Sequence, residues 1–275
     1  MPRPPLVCPG CRGLGPDGAL RVARLTNEAP GELLRCEGCG RRYPVVDGVP
    51  IVPPDLERWL AEEREVVLRR RDLSSAVEEL LLAGAPRARG WDRLLATYAA
   101  PAGELVERVS DLVAGLRGEV LDLGCGRGLH GREDVTGLDA SFAMARAFCG
   151  RGVVGDAADP PFLAHAFDAV LLLNVLDSCA APRLVLGQAD ALLAPGGTLV
   201  LSCAFAFADG LTPPGERFGP DDLERALTGE GGPFALDLRY RLVERRDRLS
   251  WRLRVSERVV HEHSCLLLVA VKEER

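Results

Sequence analysis

Short apolar runs alternate along the second half of the chain with stretches of mixed polarity. Val120, Leu121 and Leu123 form one such run, bounded by turn residues, as in a parallel strand buried on both faces. Similar strands are expected at 119–123, 135–139, 152–156, 167–174 and 198–205, with helices at 141–149 and 182–193. Alternation of strand and helix predicts an α/β fold with a parallel, doubly wound sheet. The tail reads as two more strands, at 249–255 and 264–272.

The first half is patterned differently. Arg41–Val52, RRYPVVDGVPIV, alternates about a turn at Asp47-Gly48, and Pro53-Pro54 ends it. Asp55 is a plausible N-cap for a charged helix at 55–71, with an i,i+4 pair at Glu65–Arg69. A second helical stretch follows near 74–82, then a loop at 84–90. Residues 91–116 are helix-rich and broken by Pro101. The pattern divides the chain into a small domain at 1–54, a helical linker at 55–90 and a larger domain at 91–275.

Composition narrows the picture. The chain has 275 residues, 47% of them hydrophobic, which is enough for a real core. Its formal charge of −6 gives no global attraction to nucleic acid or to an anionic membrane. The start, MPRPPLVCPG, lacks the apolar segment of an export signal, and no uncharged run reaches the ~18 residues of a membrane span. A cytoplasmic location is expected. The basic triplet Arg69–Arg71 reads as a solvated helix face.

Four of the nine cysteines are clustered: Cys8, Cys11, Cys36 and Cys39 form C-x2-C…C-x2-C across a gap of 24 residues. Without an export signal this spacing points to metal, not disulfides. Four thiolates complete a tetrahedral zinc shell with no open position, so the zinc is expected to be structural. A module of about 50 residues needs such a staple.

The central chemistry lies in Glu119–Gly128, EVLDLGCGRG, followed by Gly137-Leu138-Asp139 and Gly155-Asp156-Ala157. Glycines at 124, 126 and 128 let the backbone turn and approach a ligand. A dinucleotide fingerprint would place glycine or alanine at 129, where this chain has Leu129. Asp122, two residues before the first glycine, would repel a pyrophosphate and attract an ammonium or sulfonium. Asp139 can take ribose hydroxyls, and Asp156 with the Ala157 amide can read an adenine edge.

At these residues, and through Ala166–Asp177 and Leu192–Ser202, the chain resembles the class I S-adenosylmethionine-dependent methyltransferases. The resemblance implies a Rossmann-like sheet of seven strands with the last antiparallel, and S-adenosylmethionine as cofactor. Asp122, Gly124, Cys125, Gly126, Asp139, Ala140, Asp156, Ala157 and Asn174 would hold it. The N-terminal module resembles the zinc-ribbon activator subunit that partners several RNA and protein methyltransferases, here fused in cis. Only six residues, LHGRED, separate Gly128 from Val135, so the first crossover must be a single turn or a tight loop. His130 in that loop is expected to be exposed. Trp91 and Tyr98 are expected to pack in the core or to line the cofactor pocket.

The acceptor should meet the cofactor beyond the fourth strand, at Asn174-Val175-Leu176-Asp177. On a helical turn Asn174 and Asp177 would share a face and could hydrogen-bond both nitrogens of an imidazole. This stretch resembles the histidine and thiohistidine N-methyltransferases, although Phe205 and Phe207 stand where those groups tend to place a tyrosine. His261 and His263 share a strand face and make a weak metal signal. The expected function is N-methylation of an imidazole-type acceptor in a peptide, protein or small metabolite. One alternative is a tRNA- or rRNA-modifying methyltransferase, favoured by the zinc module and opposed by the acidic charge. A second is a non-catalytic zinc-ribbon scaffold.

Overall fold

The computed structural model describes residues 4–15, 19–29, 33–70, 101–207, 211–230, 236–256 and 258–274. The expected helix at 74–82, the loop at 84–90, Arg71, Trp91 and Tyr98 lie outside the described residues.

The larger domain is built on β7 (Val120–Leu123), β8 (Thr136–Asp139), β9 (Arg151–Val154), β10 (Phe167–Leu173), β11 (Leu193–Cys203), β12 (Tyr240–Ser256) and β13 (Val259–Lys272). They form one seven-stranded sheet in the order β12-β13-β11-β10-β7-β8-β9. Strands β7 to β11 run parallel, and β13 is antiparallel to both of its neighbours, as expected. Every residue of β7 is buried, because it lies between β10 and β8 with both faces covered. Strand β10 shows the two-residue period: Val170 and Leu172 join the core on one face, and Ala169, Leu171 and Leu173 join that on the other. On the first face α4 (Pro182–Leu192) buries Val185, Leu186 and Ala189. On the second, α2 (Glu104–Gly115) buries Leu105, Val109 and Val113 at i,i+4 spacing.

Four elements differ from expectation. Strands β12 and β13 are much longer than the tail pattern suggests. Their outer residues are charged and ion-paired, Glu244 to Arg108 and Arg245 to Asp221, so polarity hid the strand. Strand β11 begins at Leu193, five residues early. Helix α3 (Phe142–Ala147) stops two residues short; Ser141 Oγ caps it by accepting from Met144 N at 3.4 Å.

The first crossover contains no helix, only turns and bends through 129–134. Arg132 donates to the carbonyls of Val113 (3.0 Å) and Leu116 (2.9 Å), placing a cation on the C-terminal end of α2.

At the N-terminus β1 (Gly13–Leu14) and β2 (Leu20–Arg21) form a small hairpin. A second sheet holds β3 (Leu25–Ala29), β4 (Leu33–Cys36), β5 (Arg42–Val46) and β6 (Val49–Pro50). This module sits on the β9 edge of the large sheet. Ile51 bridges Val154 in parallel, and Val52 N donates to Val154 O at 2.8 Å. Arg12 reaches Asp159 at 2.7 Å. The edge that would otherwise offer free amides is thereby partly covered. Helix α1 (Leu56–Arg70) follows, with Asp55 Oδ1 accepting from Arg58 N at 3.0 Å as the expected N-cap.

Candidate functional site

The four clustered cysteines converge. Their sulfurs all lie within 4.8 Å of one another, and this is the only group capable of holding a metal among the described residues. The Cys8–Cys11 knuckle closes through Cys11 N to Cys8 O. In the other knuckle Cys36 Sγ accepts from the amides of Gly38 (3.3 Å) and Cys39 (3.4 Å). Gly38 is required by space: a Cβ there would lie 2.9 Å from Ala23 Cβ and 3.4 Å from Cys11 Sγ. The Arg41 amide pulls the Cys39 thiol down to about 7, whereas hydrogen bonding to Cys39 pushes Cys11 up to about 12. A cation bound among the four sulfurs would hold them all as thiolates. The donor set fits a tetrahedral zinc with no open position.

A cavity of about 660 Å³ opens at the C-terminal ends of β7, β8, β9 and β10. The structure brings the expected cofactor residues together on its wall. Asp122, Gly124, Cys125 and Gly126 line it from the end of β7 and the glycine turn. Asp139 and Ala140 line it from β8, Asp156 and Ala157 from the turn after β9, and Asn174 from the end of β10.

The backbone dictates the glycines. Gly124 has φ +81°, and a Cβ there would lie 2.5 Å from Val175 Cγ2. Gly126 N donates to Asp139 Oδ2 at 2.9 Å, and Ser141 N to Asp139 Oδ1 at 2.9 Å. Burial pushes the Asp139 carboxyl up to about 6, against the pull of those two amides. Asp156 Oδ1 accepts from Ala158 N at 2.8 Å.

Asp122 is buried, and neither of its oxygens makes a hydrogen bond among the described residues. Its nearest charge partner is His130 Nε2, at 3.3 Å. His130 is therefore not the exposed loop residue that was expected. With no crossover helix to fill the space, its ring turns inward and packs edge-on against Phe148 at 5.7 Å. Burial lowers the His130 pKa, but Asp122 and Cys149 outweigh it and bring the value up to about 9. The Arg132 amide, aimed at Nδ1 from 3.3 Å, works in the opposite direction.

The acceptor pair needs correction. Residues 174–177 form a turn, not a helix, and Asn174 has φ +56°. The two side chains do not present one open face. Asn174 borders the cavity, but its Oδ1 accepts from Ser202 Oγ at 3.0 Å and its amide sits against the Cys265 thiol. Asp177 is buried behind the wall, with Oδ2 accepting from Ala206 N at 3.0 Å. Phe205 and Phe207 pack against Phe218, with ring centroids 5.8 and 5.2 Å away. His261 and His263 lie with ring centroids 6.5 Å apart, outside any metal-capable group of described residues.

The linker lines the cavity, which its sequence did not signal: Asp55, Arg58, Trp59 and Glu62 border it, as do Pro53 and Pro54 at the end of the N-terminal domain and Trp251 of β12. Trp59 Nε1 donates to Ala140 O at 2.9 Å. Nothing in a charged helix with one tryptophan signals this contact, which depends on how the ribbon docks.

Comparison with known proteins agrees with this architecture. Residues 121–201 match the family described as "Methyltransferase domain", and residues 6–48 match "Trm112p-like protein". No curated protein matches the chain by sequence. Among solved structures, one from echinomycin biosynthesis, concerned with converting a disulfide bond into a thioacetal group, is 16% identical. It covers 72% of this chain and 92% of its own, with a TM-score of 0.48. A SAM-dependent methyltransferase of Methanosarcina mazei is 18% identical over 60% of this chain and 98% of its own (TM-score 0.42). The N-methyltransferase NodS of Bradyrhizobium japonicum is 20% identical over 62% and 93% (TM-score 0.40). The sheet and the first match define an enzyme of the methyltransferase class. More particularly, this chain carries a methyltransferase domain and a Trm112-like domain in one polypeptide. Among the described residues, no helix is long and apolar enough to cross a membrane.

Proposed function

We propose that the cavity binds S-adenosylmethionine and that the protein transfers its methyl group to an imidazole-type nitrogen in a peptide, protein or small metabolite. The observation that carries the cofactor reading is Asp122. Its buried carboxylate makes no hydrogen bond; one oxygen faces His130 at 3.3 Å, and the other is left to accept from a cationic ligand such as an ammonium beside the glycine turn. Asp139 and Asp156 lie farther along the same wall, where they can accept hydrogen bonds from ribose hydroxyls and the adenine edge. The cofactor supplies an already activated methyl group, so the chain's residues chiefly orient and exclude water. Asn174 Oδ1 keeps a lone pair beyond the one used by Ser202 and can accept a ring N–H, leaving the other ring nitrogen free to react. Asp177 acts as a positioning residue, holding the segment after β11 through Ala206. The four-cysteine site holds a structural zinc, and the chain divides into domains at 1–54 and 91–275 joined by the linker.

The test is calorimetric titration of the full chain with S-adenosylhomocysteine. We expect binding, weakened about tenfold or more in Asp122→Asn; no binding to the wild type rejects the reading and leaves a scaffold. Radiolabelled S-adenosylmethionine offered with histidine peptides and with an RNA pool then tests the acceptor. Label in RNA alone would remove the imidazole proposal.

A further inference from the structure

We infer that the linker after the N-terminal domain, and Trp59 above all, forms the adenosyl wall of the cofactor cavity. The Trm112-like module is thus joined to the binding site as well as resting on the sheet. The inference rests on the reading of that cavity as the S-adenosylmethionine site.

Four observations carry it. The linker residues Asp55, Arg58, Trp59 and Glu62, with Pro53 and Pro54 just before them, border the same cavity as Asp139 and Asp156. Trp59 is tied by its indole N–H to the carbonyl of Ala140, the residue that follows Asp139. Trp59 and Leu56 also pack into a cluster that draws Val49 and Ile51 from the module, and Phe142, Ala145 and Val154 from the larger domain. An ion pair between Asp47 and Arg146 (3.2 Å) spans the same junction. The indole therefore cannot keep its place unless both domains keep theirs. The other end of the cavity is built differently, from Asp122 and the glycine turn. The two ends should read different halves of one ligand: the amino-acid half at Asp122 and the adenosyl half at Trp59. Arg58 and Glu62, paired with each other at 3.1 Å, are exposed and border the same cavity.

Two ligands separate the halves. S-adenosylhomocysteine carries both, and 5′-methylthioadenosine lacks the amino-acid half. In titrations of the full chain, Trp59→Ala should weaken both ligands in the same proportion, about tenfold, as loss of an aromatic wall against a base does. Asp122→Asn should weaken S-adenosylhomocysteine and leave methylthioadenosine unchanged. If Trp59→Ala leaves both affinities intact, or weakens S-adenosylhomocysteine alone, the assignment is wrong. Should that variant fail to fold, as judged by its thermal melt, the exposed double variant Arg58→Ala/Glu62→Ala serves instead. It should weaken both ligands about threefold, and unchanged affinity overturns the proposal. A wild-type chain that binds neither ligand overturns the cofactor reading itself, and this inference with it. Binding by the wild type with an inert Trp59 overturns the inference alone.

Discussion

The N-terminal module and the seven-stranded sheet are held together by different physics. The sheet rests on apolar area: alternate residues of β10 feed two cores, and each core is closed by a helix. The module has little core of its own. Its buried residues Cys8, Leu34, Cys36 and Tyr43 belong to the same cluster as Phe162 and Val153 of the larger domain. What is proper to the module is the set of four sulfurs within 4.8 Å. Stability spread over many contacts degrades gradually, whereas stability concentrated at one metal fails at once.

Removing the metal should have the largest effect. Structural zinc contributes on the order of 10 kcal/mol in small modules. Cys36→Ser should therefore bring bound zinc, measured by elemental analysis, from about one per chain to near zero. The module's melting transition should go with it. An unaltered melt would show that the module does not depend on its metal. Leu121→Ala in β7 should cost about 2–5 kcal/mol, read as a lower denaturant midpoint at constant slope; a smaller loss than in the cysteine variant is what the contrast requires.

The third prediction concerns pH. Asp139 has a folded value of about 6, above the unfolded one. Its contribution to stability is fully present below the unfolded value and is lost as pH rises through about 6. A ribose hydroxyl donates best to the ionised form, so S-adenosylhomocysteine affinity should rise between pH 5 and pH 7, by about tenfold. Asp139→Asn should flatten the profile, and an unchanged slope in that variant would assign the titration to another group. The smallest effect is expected at the docking contact. Arg12→Ala removes a half-buried, charge-assisted bond to Asp159 and the bonds to the carbonyls of Pro160 and Phe162, and should cost about 1–2 kcal/mol, read by chemical denaturation. A much larger loss would mean that docking rests on one side chain and not on the shared apolar cluster.

Strands β7, β8 and β10 and helix α4 were legible in the sequence because burial on the sheet leaves an unbroken or periodic apolar signature. Strand β12 was only half legible, since its exposed face is charged along much of its length. The cavity's acids were legible because each lies within two residues of a strand's C-terminal end. His130 was not: its burial is a consequence of a missing helix, and absence leaves no pattern in the residues that remain. The Asn174–Asp177 geometry failed for a related reason. The spacing promises one face only on a helix, and the left-handed backbone at Asn174 removes that premise. Trp59 escaped because its partner, the Ala140 carbonyl, is 81 positions away.

The bridge between Ile51 and Val154 is slight, a single pair of residues with one amide bond beside it. Between separate chains such a contact would part on dilution. Here the linker makes reassociation intramolecular, at an effective concentration on the order of millimolar. With the shared apolar clusters and the Leu6–Phe162 bridge beside it, docking is nearly always made. The module and the methyltransferase domain are present in a fixed one-to-one ratio in every molecule, whatever the level of synthesis.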